Sequence, residues 1–383
     1  MYLKDNTTNL FELADSVATK FVSNNLSSYQ GLRNYDYGPN KRDNISCLSP
    51  FITHRLILEQ ELINRALDSY SFSKVEKFIQ EICWRTYWKG WLELRPAVWE
   101  DFISERVERY DELAYEKAVG GNTGVDCFDF WVNELKEENY LHNHTRMWFA
   151  SIWIFTLGLP WKLGAEFFMK YLLDGDAASN TLSWRWVAGI QTKGKHYIAR
   201  PSNISKFTDG RFHPVGLSTH AEPLNEEKDY LKEPLGVMSN ETKKSNILVM
   251  FENDLWLKGR EDLYKSYEKI YLILLTNVER KIQLDDKVLA FKRKALSDAQ
   301  MYLDNSSLES PERLQQHNSF DVVYPSVGEN LDYLKQIQNT NNTAFDFITR
   351  EEDIFCWEFS NKGFFNFKKN IPDILKKFSY KLN

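Results

Sequence analysis

The segment 174–186, DGDAASNTLSWRW, carries an acid, an amide and an indole four residues apart. In a helix beginning at Asp176, the side chains of Asp176, Asn180 and Trp184 share one face. That row makes a poor apolar stripe. A buried carboxylate and amide need partners, and a polar heterocyclic ligand would supply them. Asp174, just upstream, also suits the cap of such a helix. A second group lies in 141–147, LHNHTRM, where Asn143, Arg146 and Met147 share a helical face. An arginine leading into MWFASIWIF is costly unless paired. Asp176 is the expected partner, and a purely structural salt bridge is the alternative. A third group is EICWRTYW at 81–88, with Glu81, Trp84, Arg85 and Trp88. Glu81 and Arg85 could form an ordinary solvated helix pair, but two flanking tryptophans suggest a half-open aromatic surface. The fourth is SCLSPFI at 46–52, preceded by Tyr37, Lys41 and Arg42. Hydroxyls before a helix start, with cations nearby, can hold phosphate oxygens. Ser49-Pro50 reads equally well as an N-cap followed by a first-turn proline.

The elements that must position these groups change in texture along the chain. From about residue 8 to 190 the pattern is helical: Leu58, Leu62, Ile63 and Leu67 keep helical spacing, as do Val75, Phe78, Ile79 and Ile82. Residues 191–215 are basic and turn-rich and read as an ordered loop region. Residues 216–244 are polar and contain Pro223, Pro234 and Gly236, which suggests a linker. Beyond 245, strands are expected at 246–251, 270–276, 320–325 and 344–349. Helices are expected at 259–268, 287–303, 327–338 and 371–380. This alternation predicts a small α/β domain with a parallel sheet after a mainly α domain. The expected boundaries are 1–215, a linker at 216–244, and 245–383. The α/β part has no glycine-rich phosphate loop, so no nucleotide site follows from a motif there.

A chain of 383 residues is long enough for two domains. The net charge of −6 argues against a globally basic nucleic-acid binder, so phosphate contacts would need a local patch. The aromatic count is high, with 12 Trp, 19 Tyr and 25 Phe; a heavily packed core accounts for it as readily as a stacking surface does. Cys47, Cys83, Cys127 and Cys356 lie too far apart for a zinc or iron–sulfur pattern and read as buried thiols in a reducing compartment. No metal site is expected. The N-terminus lacks a secretion signal, and no apolar run of membrane-spanning length occurs. A cytoplasmic protein without membrane association is expected.

Taken in order, SxLSP, ExxWRxYW, HNxxRM and DGDxASNxxxWxW resemble the FAD-binding domain of photolyases and cryptochromes over about residues 30–212. The resemblance implies an all-helical cradle for FAD. On it, Ser46, Leu48 and Ser49 would bind the FAD phosphates with Tyr37 and a basic neighbour. Arg85, Asn143, Arg146, Asp174 and Asp176 would contact the cofactor, and Asn180 matches the position facing flavin N5. Trp84 and Trp186 occupy positions where dimer-repairing members sandwich a flipped lesion. Glu81 matches the acid that hydrogen-bonds the lesion bases. Met147 stands where (6-4) photolyases carry an essential histidine, which favours the cyclobutane dimer as substrate. Trp184 and Trp161 match the inner and middle tryptophans of the photoreduction chain. The outer one has no clear counterpart: Tyr110 or Tyr115 could substitute, or the route could leave through Trp148 or Trp153.

The chain also departs from the family pattern. The FAD motifs begin so early that the usual N-terminal antenna domain is missing. ILVMFENDLWL at 247–257 looks faintly like the opening strand of that domain, which suggests an antenna-like domain moved to the C-terminal side. Its antenna pigment, if any, is unknown. Lys193, Lys195, Arg200, Lys206 and Arg211 cluster in the loop after the last motif and could clamp a DNA backbone. His144 stands where a phosphate-binding arginine is frequent. The resemblance implies a lyase that uses light and reduced FAD to split cyclobutane pyrimidine dimers in UV-damaged DNA. The alternative is a cryptochrome-like blue-light photoreceptor that signals to a protein partner, and a third reading is a nonphotochemical FAD protein.

Overall fold

The computed structural model describes residues 8–226 and 228–378. Helices fill the first half, from Leu10–Asn24 to Pro201–Phe207. The longest, Phe72–Glu93, runs through the centre of this half and buries Phe78, Ile79 and Ile82. These are the residues whose spacing predicted it. No described helix is long and apolar enough to cross a membrane.

The second half is an α/β unit with five parallel strands: β1 (Ile247–Phe251), β2 (Lys269–Ile273), β3 (Ser306–Glu309), β4 (Ser319–Val323) and β5 (Ala344–Ile348). Their order is β3-β2-β1-β4-β5. The expected parallel sheet is therefore present, with one strand more than the sequence suggested. β3 escaped notice because SSLE is polar and sits at a sheet edge, where no apolar run is needed. β1, β2 and β4 are buried over four successive residues, as strands covered on both faces must be. The expected helices at 287–303 and 327–338 appear as Asp286–Gln300 and Glu329–Asn341. The one expected at 259–268 shrinks to Glu261–Lys265. Glu351–Glu358 and Phe364–Lys368 are additional.

Alternation along the strands ties the halves together. Leu248, Met250, Ile270 and Leu272 belong to the same core as the helical half. Val249, Phe251, Tyr271 and Ile273 point the other way and pack with Leu334 and Ile337. The linker-like stretch has no regular structure, yet it is fastened to the helices. Arg185 holds Glu226 through two hydrogen bonds, and Asp101 accepts one from the Tyr230 hydroxyl at 2.7 Å.

A buried ionic lattice completes the joint. Arg55 donates to Asp254 at 2.8 Å and to both oxygens of Asp353 at 2.7 and 2.6 Å. Arg350 grips Asp254 from the other side at 2.9 and 2.8 Å. The C-terminal segment also lies directly on the long helix. A Cβ added at Gly90 would stand 2.7 Å from Trp357 Cα and 2.5 Å from Ser360 Oγ, so only glycine permits this approach.

Two outcomes follow for stability. Arg55→Met leaves two carboxylates buried without their shared partner, and should cost roughly 3–5 kcal/mol in a denaturant titration. Burial pushes the Glu93 carboxyl up to about 7, despite hydrogen bonds from the Tyr324 hydroxyl and the Val327 amide. A raised acid stabilises the fold below its unfolded value of 4.5, and that contribution fades as pH rises through about 7. The unfolding free energy should fall across this window by an amount on the order of 3 kcal/mol, with the denaturation midpoint falling in parallel. Glu93→Gln should flatten that decline.

Candidate flavin and lesion cavity

The helical half encloses a cavity of about 580 Å³, within the range of small-molecule sites. Three helices and one loop supply its chemistry. The loop contributes Ser46 and Leu48, running into the short helix Ser49–Thr53. Ser49 is inside that helix and Leu48 is its N-cap, with no side-chain capping bond. The expected Ser49 cap is therefore absent, and its hydroxyl instead lines the cavity.

The long helix contributes Glu81, Trp84, Arg85 and Trp88. Glu81 does not pair with Arg85; its neighbour is Arg33, at 3.6 Å. Burial raises the Glu81 carboxyl above its usual range, and Arg33 offsets this only in part. Arg85 instead reaches Asp176 at 2.8 Å and Glu59 at 3.5 Å. Its Nε and Nη2 are buried without a hydrogen-bond partner.

The helix Asn143–Ser151 brings Asn143, Arg146 and Met147 to the same wall. Arg146 donates to Asp174 at 2.9 Å and to the Leu141 carbonyl at 3.0 Å. The partner expected from sequence, Asp176, is thus replaced by Asp174. The reason is local. Asp176 is the N-cap of the helix Ala177–Ala188, and its Oδ1 accepts from the Ala178 and Ser179 amides at 2.9 Å. That fixes its other oxygen toward Arg85. Burial pushes the Asp176 carboxyl up, but Arg85, Lys89 and Ser179 outweigh it and hold it below the usual range. Asp174, the residue first suited to a cap, keeps its Oδ1 buried and unpartnered on the cavity wall.

Asn180 spends its amide nitrogen on the Ala165 carbonyl at 2.8 Å, which leaves its oxygen available as an acceptor. The same helix brings Trp184 and Trp186 to the cavity. Trp184 lies edge-on to Trp153 at 6.2 Å, Trp153 to Tyr115 at 5.9 Å, and Tyr115 to Tyr110 at 5.5 Å. Tyr110 reaches solvent, with 37% exposure. Trp161 stacks on Phe102 instead, with Arg185 over its other side, and makes no ring contact with Trp184 among the described residues.

Not every expected residue converges. Tyr37 stacks on Tyr35 with Lys41 over its ring, away from the cavity lining. Its basic neighbour Arg42 is buried in an ion pair with Glu134. Asp176 lines a smaller neighbouring cavity rather than the large one. Lys195, Arg200 and Lys206 are exposed. Lys193 is exposed but paired with Asp229 at 2.6 Å. Arg211 donates to the Asp36 carbonyl at 2.7 Å and packs against Phe212, so it serves the fold locally. Sequence reasoning also missed Ser179 and Arg33, which line the cavity. Ser179 follows Asp176 by three residues, a helical spacing that could have found it.

The polar atoms left over suit a large polar ligand. Arg85 Nη2, Asp174 Oδ1 and Trp184 Nε1 are buried without a hydrogen-bond partner on residues that line this cavity. Buried donors and acceptors at this density call for a ligand rich in both. The fold and cavity together define a helical domain built around a large, polar-lined ligand site.

Residues 78–223 match the family model described as the FAD binding domain of DNA photolyase. The helical part of the chain is thus similar to the FAD-binding domain of the photolyase/cryptochrome family. Its relatives include the deoxyribodipyrimidine photo-lyase of Streptomyces griseus, 36% identical over 39% of this chain and 33% of that protein. The corresponding protein of Alkalihalophilus pseudofirmus is 29% identical over 58% of this chain and 47% of its own length. The chain thus spans less than half the length of these relatives. Among solved structures, a class III photolyase from Agrobacterium tumefaciens aligns with a TM-score of 0.45 and 26% identity, covering 51% of this chain and 42% of that one. A Synechocystis cryptochrome aligns with a TM-score of 0.47 and 21% identity, covering 52% and 43%.

Arg146→Met removes the hydrogen bond from Arg146 to the Asp174 carboxylate and withdraws a cation from the cavity wall. FAD affinity should drop about 10- to 100-fold, as for loss of a charged hydrogen bond. Fluorescence titration of released flavin checks this.

Proposed function

We propose that the protein is a light-dependent DNA-repair flavoprotein that splits cyclobutane pyrimidine dimers. The observation that carries this reading is the convergence of Trp84, Trp186, Glu81 and Met147 on the cavity that also presents Arg85, Asp174 and Asn180. Bound FAD, reduced and excited by blue or near-UV light, would supply the electron that opens the dimer ring. Ser46 and Ser49 would hold the phosphates, and Arg85, Asn143, Arg146, Asp174 and Asn180 would orient the ring system.

The remaining steps belong to the chain. Trp186 and the face of Trp84 not covered by Phe364 would stack on the two linked pyrimidines that have left the duplex. Extruding a lesion costs less than extruding intact bases, and each stacked base returns roughly 1–3 kcal/mol. Glu81, its carboxyl raised by burial, would be a hydrogen-bond donor to base carbonyls over a wider pH range than a solvated glutamate. Met147 adds an apolar wall without acid–base chemistry. Exposed Lys195, Arg200 and Lys206 would contact DNA phosphates.

The photoreceptor reading draws its support from the aromatic series Trp184–Trp153–Tyr115–Tyr110, which runs from the cavity to solvent. We assign this series, rather than Trp161, as the route by which electrons enter from outside. A protein that fills its cavity by this route and leaves lesions intact would be a receptor.

Illumination of the reduced protein with a dimer-containing oligonucleotide should restore the bases, while the dark control should not. Photoreduction without restoration would support the receptor. Trp153→Phe should slow light-driven flavin reduction at least tenfold while flavin stays bound. An unchanged rate would return the route to Trp161.

A further inference from the structure

The repair reading leaves one feature at the cavity rim unused. Phe364 lies flat on Trp84, with ring centroids 3.6 Å apart and planes within 11°. It comes from the helix Phe364–Lys368 near the end of the α/β half. Its neighbour Phe365 points outward and is 78% exposed. This is no loose surface residue. Phe364 on one side is stacked on Trp84, and Phe367 on the other packs against Tyr87 at 5.8 Å. Lys368 ties the segment to Glu76 at 3.2 Å, and Ser360 presses against Gly90. Phe365 is thus an apolar side chain held out from a rigid base beside Trp84.

The charge around it runs against that of the whole chain. Residues 362–377 contain five lysines and one aspartate in a protein of net charge −6. Lys362 and Lys369 flank the aromatic turn, are exposed, and make no ion pair among the described residues. A fixed exposed aromatic between unpaired cations suits a polyanion that also has faces to stack on, which is nucleic acid.

We propose that this C-terminal segment forms one lip of the DNA site. Phe365 wedges into the base stack beside the extruded lesion, and Lys362 and Lys369 hold the adjacent phosphates. The wedge fills the gap left by the flipped bases and keeps the duplex from closing over it. In this arrangement the α/β half takes part directly in DNA recognition. The inference rests on the repair reading.

The test uses the full-length flavin-loaded protein and a duplex with one cyclobutane dimer and 2-aminopurine next to it. Wild-type binding should raise 2-aminopurine fluorescence as neighbouring bases unstack. Phe365→Ala should weaken binding about tenfold and abolish most of that rise, with the flavin spectrum unchanged. The Lys362→Gln/Lys369→Gln double variant should leave the fluorescence rise intact and reduce the salt dependence of affinity by roughly two phosphate contacts. Equal affinity and fluorescence for wild type and Phe365→Ala overturns the wedge while sparing the repair reading. A wild type that binds no lesion duplex overturns both. Unchanged DNA binding with a shift from dimer to monomer in Phe365→Ala would mean that the lip meets a second copy of the chain instead.

Discussion

Two arginine–aspartate pairs, Arg146–Asp174 and Arg85–Asp176, are the constraint on which the helical half depends. Each is close, and each is incomplete. Asp174 retains an unpartnered oxygen and Arg85 an unpartnered nitrogen, Nη2. Buried charges this poorly saturated are expensive in an empty protein, because their solvation is lost before it is replaced. They make sense around a ligand with both donors and acceptors. The cavity is thus prepared for its cofactor by deficits as well as by shape.

The α/β half belongs to the same physical argument. Its sheet turns one face into the helical core, and Arg55 bridges Asp254 and Asp353 across the junction. Arg55 lies shortly after the helix Ser49–Thr53, whose Ser49 lines the cavity, so the lattice braces one end of the cavity. The other contact is Phe364, stacked on the cavity-lining Trp84. The α/β half therefore supports the cavity at two places.

Much of the site was legible because its residues sit at helical spacings inside single segments. Glu81, Trp84, Arg85, Asn143, Arg146, Met147, Asn180 and Trp184 all reach one cavity from motifs read locally. What local spacing could not decide was the exchange of partners. The N-cap bonds of Asp176 turn it toward Arg85, and Arg146 takes Asp174. A cap depends on where the helix starts, and two aspartates two residues apart offered two starts. The Arg55 lattice was invisible for a different reason: its partners lie 199 and 298 residues away. β3 was missed because edge strands need no apolar signature. Trp153 lies in a π-helical turn, Ile152–Thr156, where the shift in register changes which side chain faces inward.

The central claim is that these polar deficits are completed by a flavin. The most direct measurement is the visible absorption spectrum of the full-length protein after incubation with FAD and removal of the excess. A flavin band shifted from that of free FAD, at one equivalent per chain, is the predicted result. A colourless protein that takes up no FAD would contradict the account.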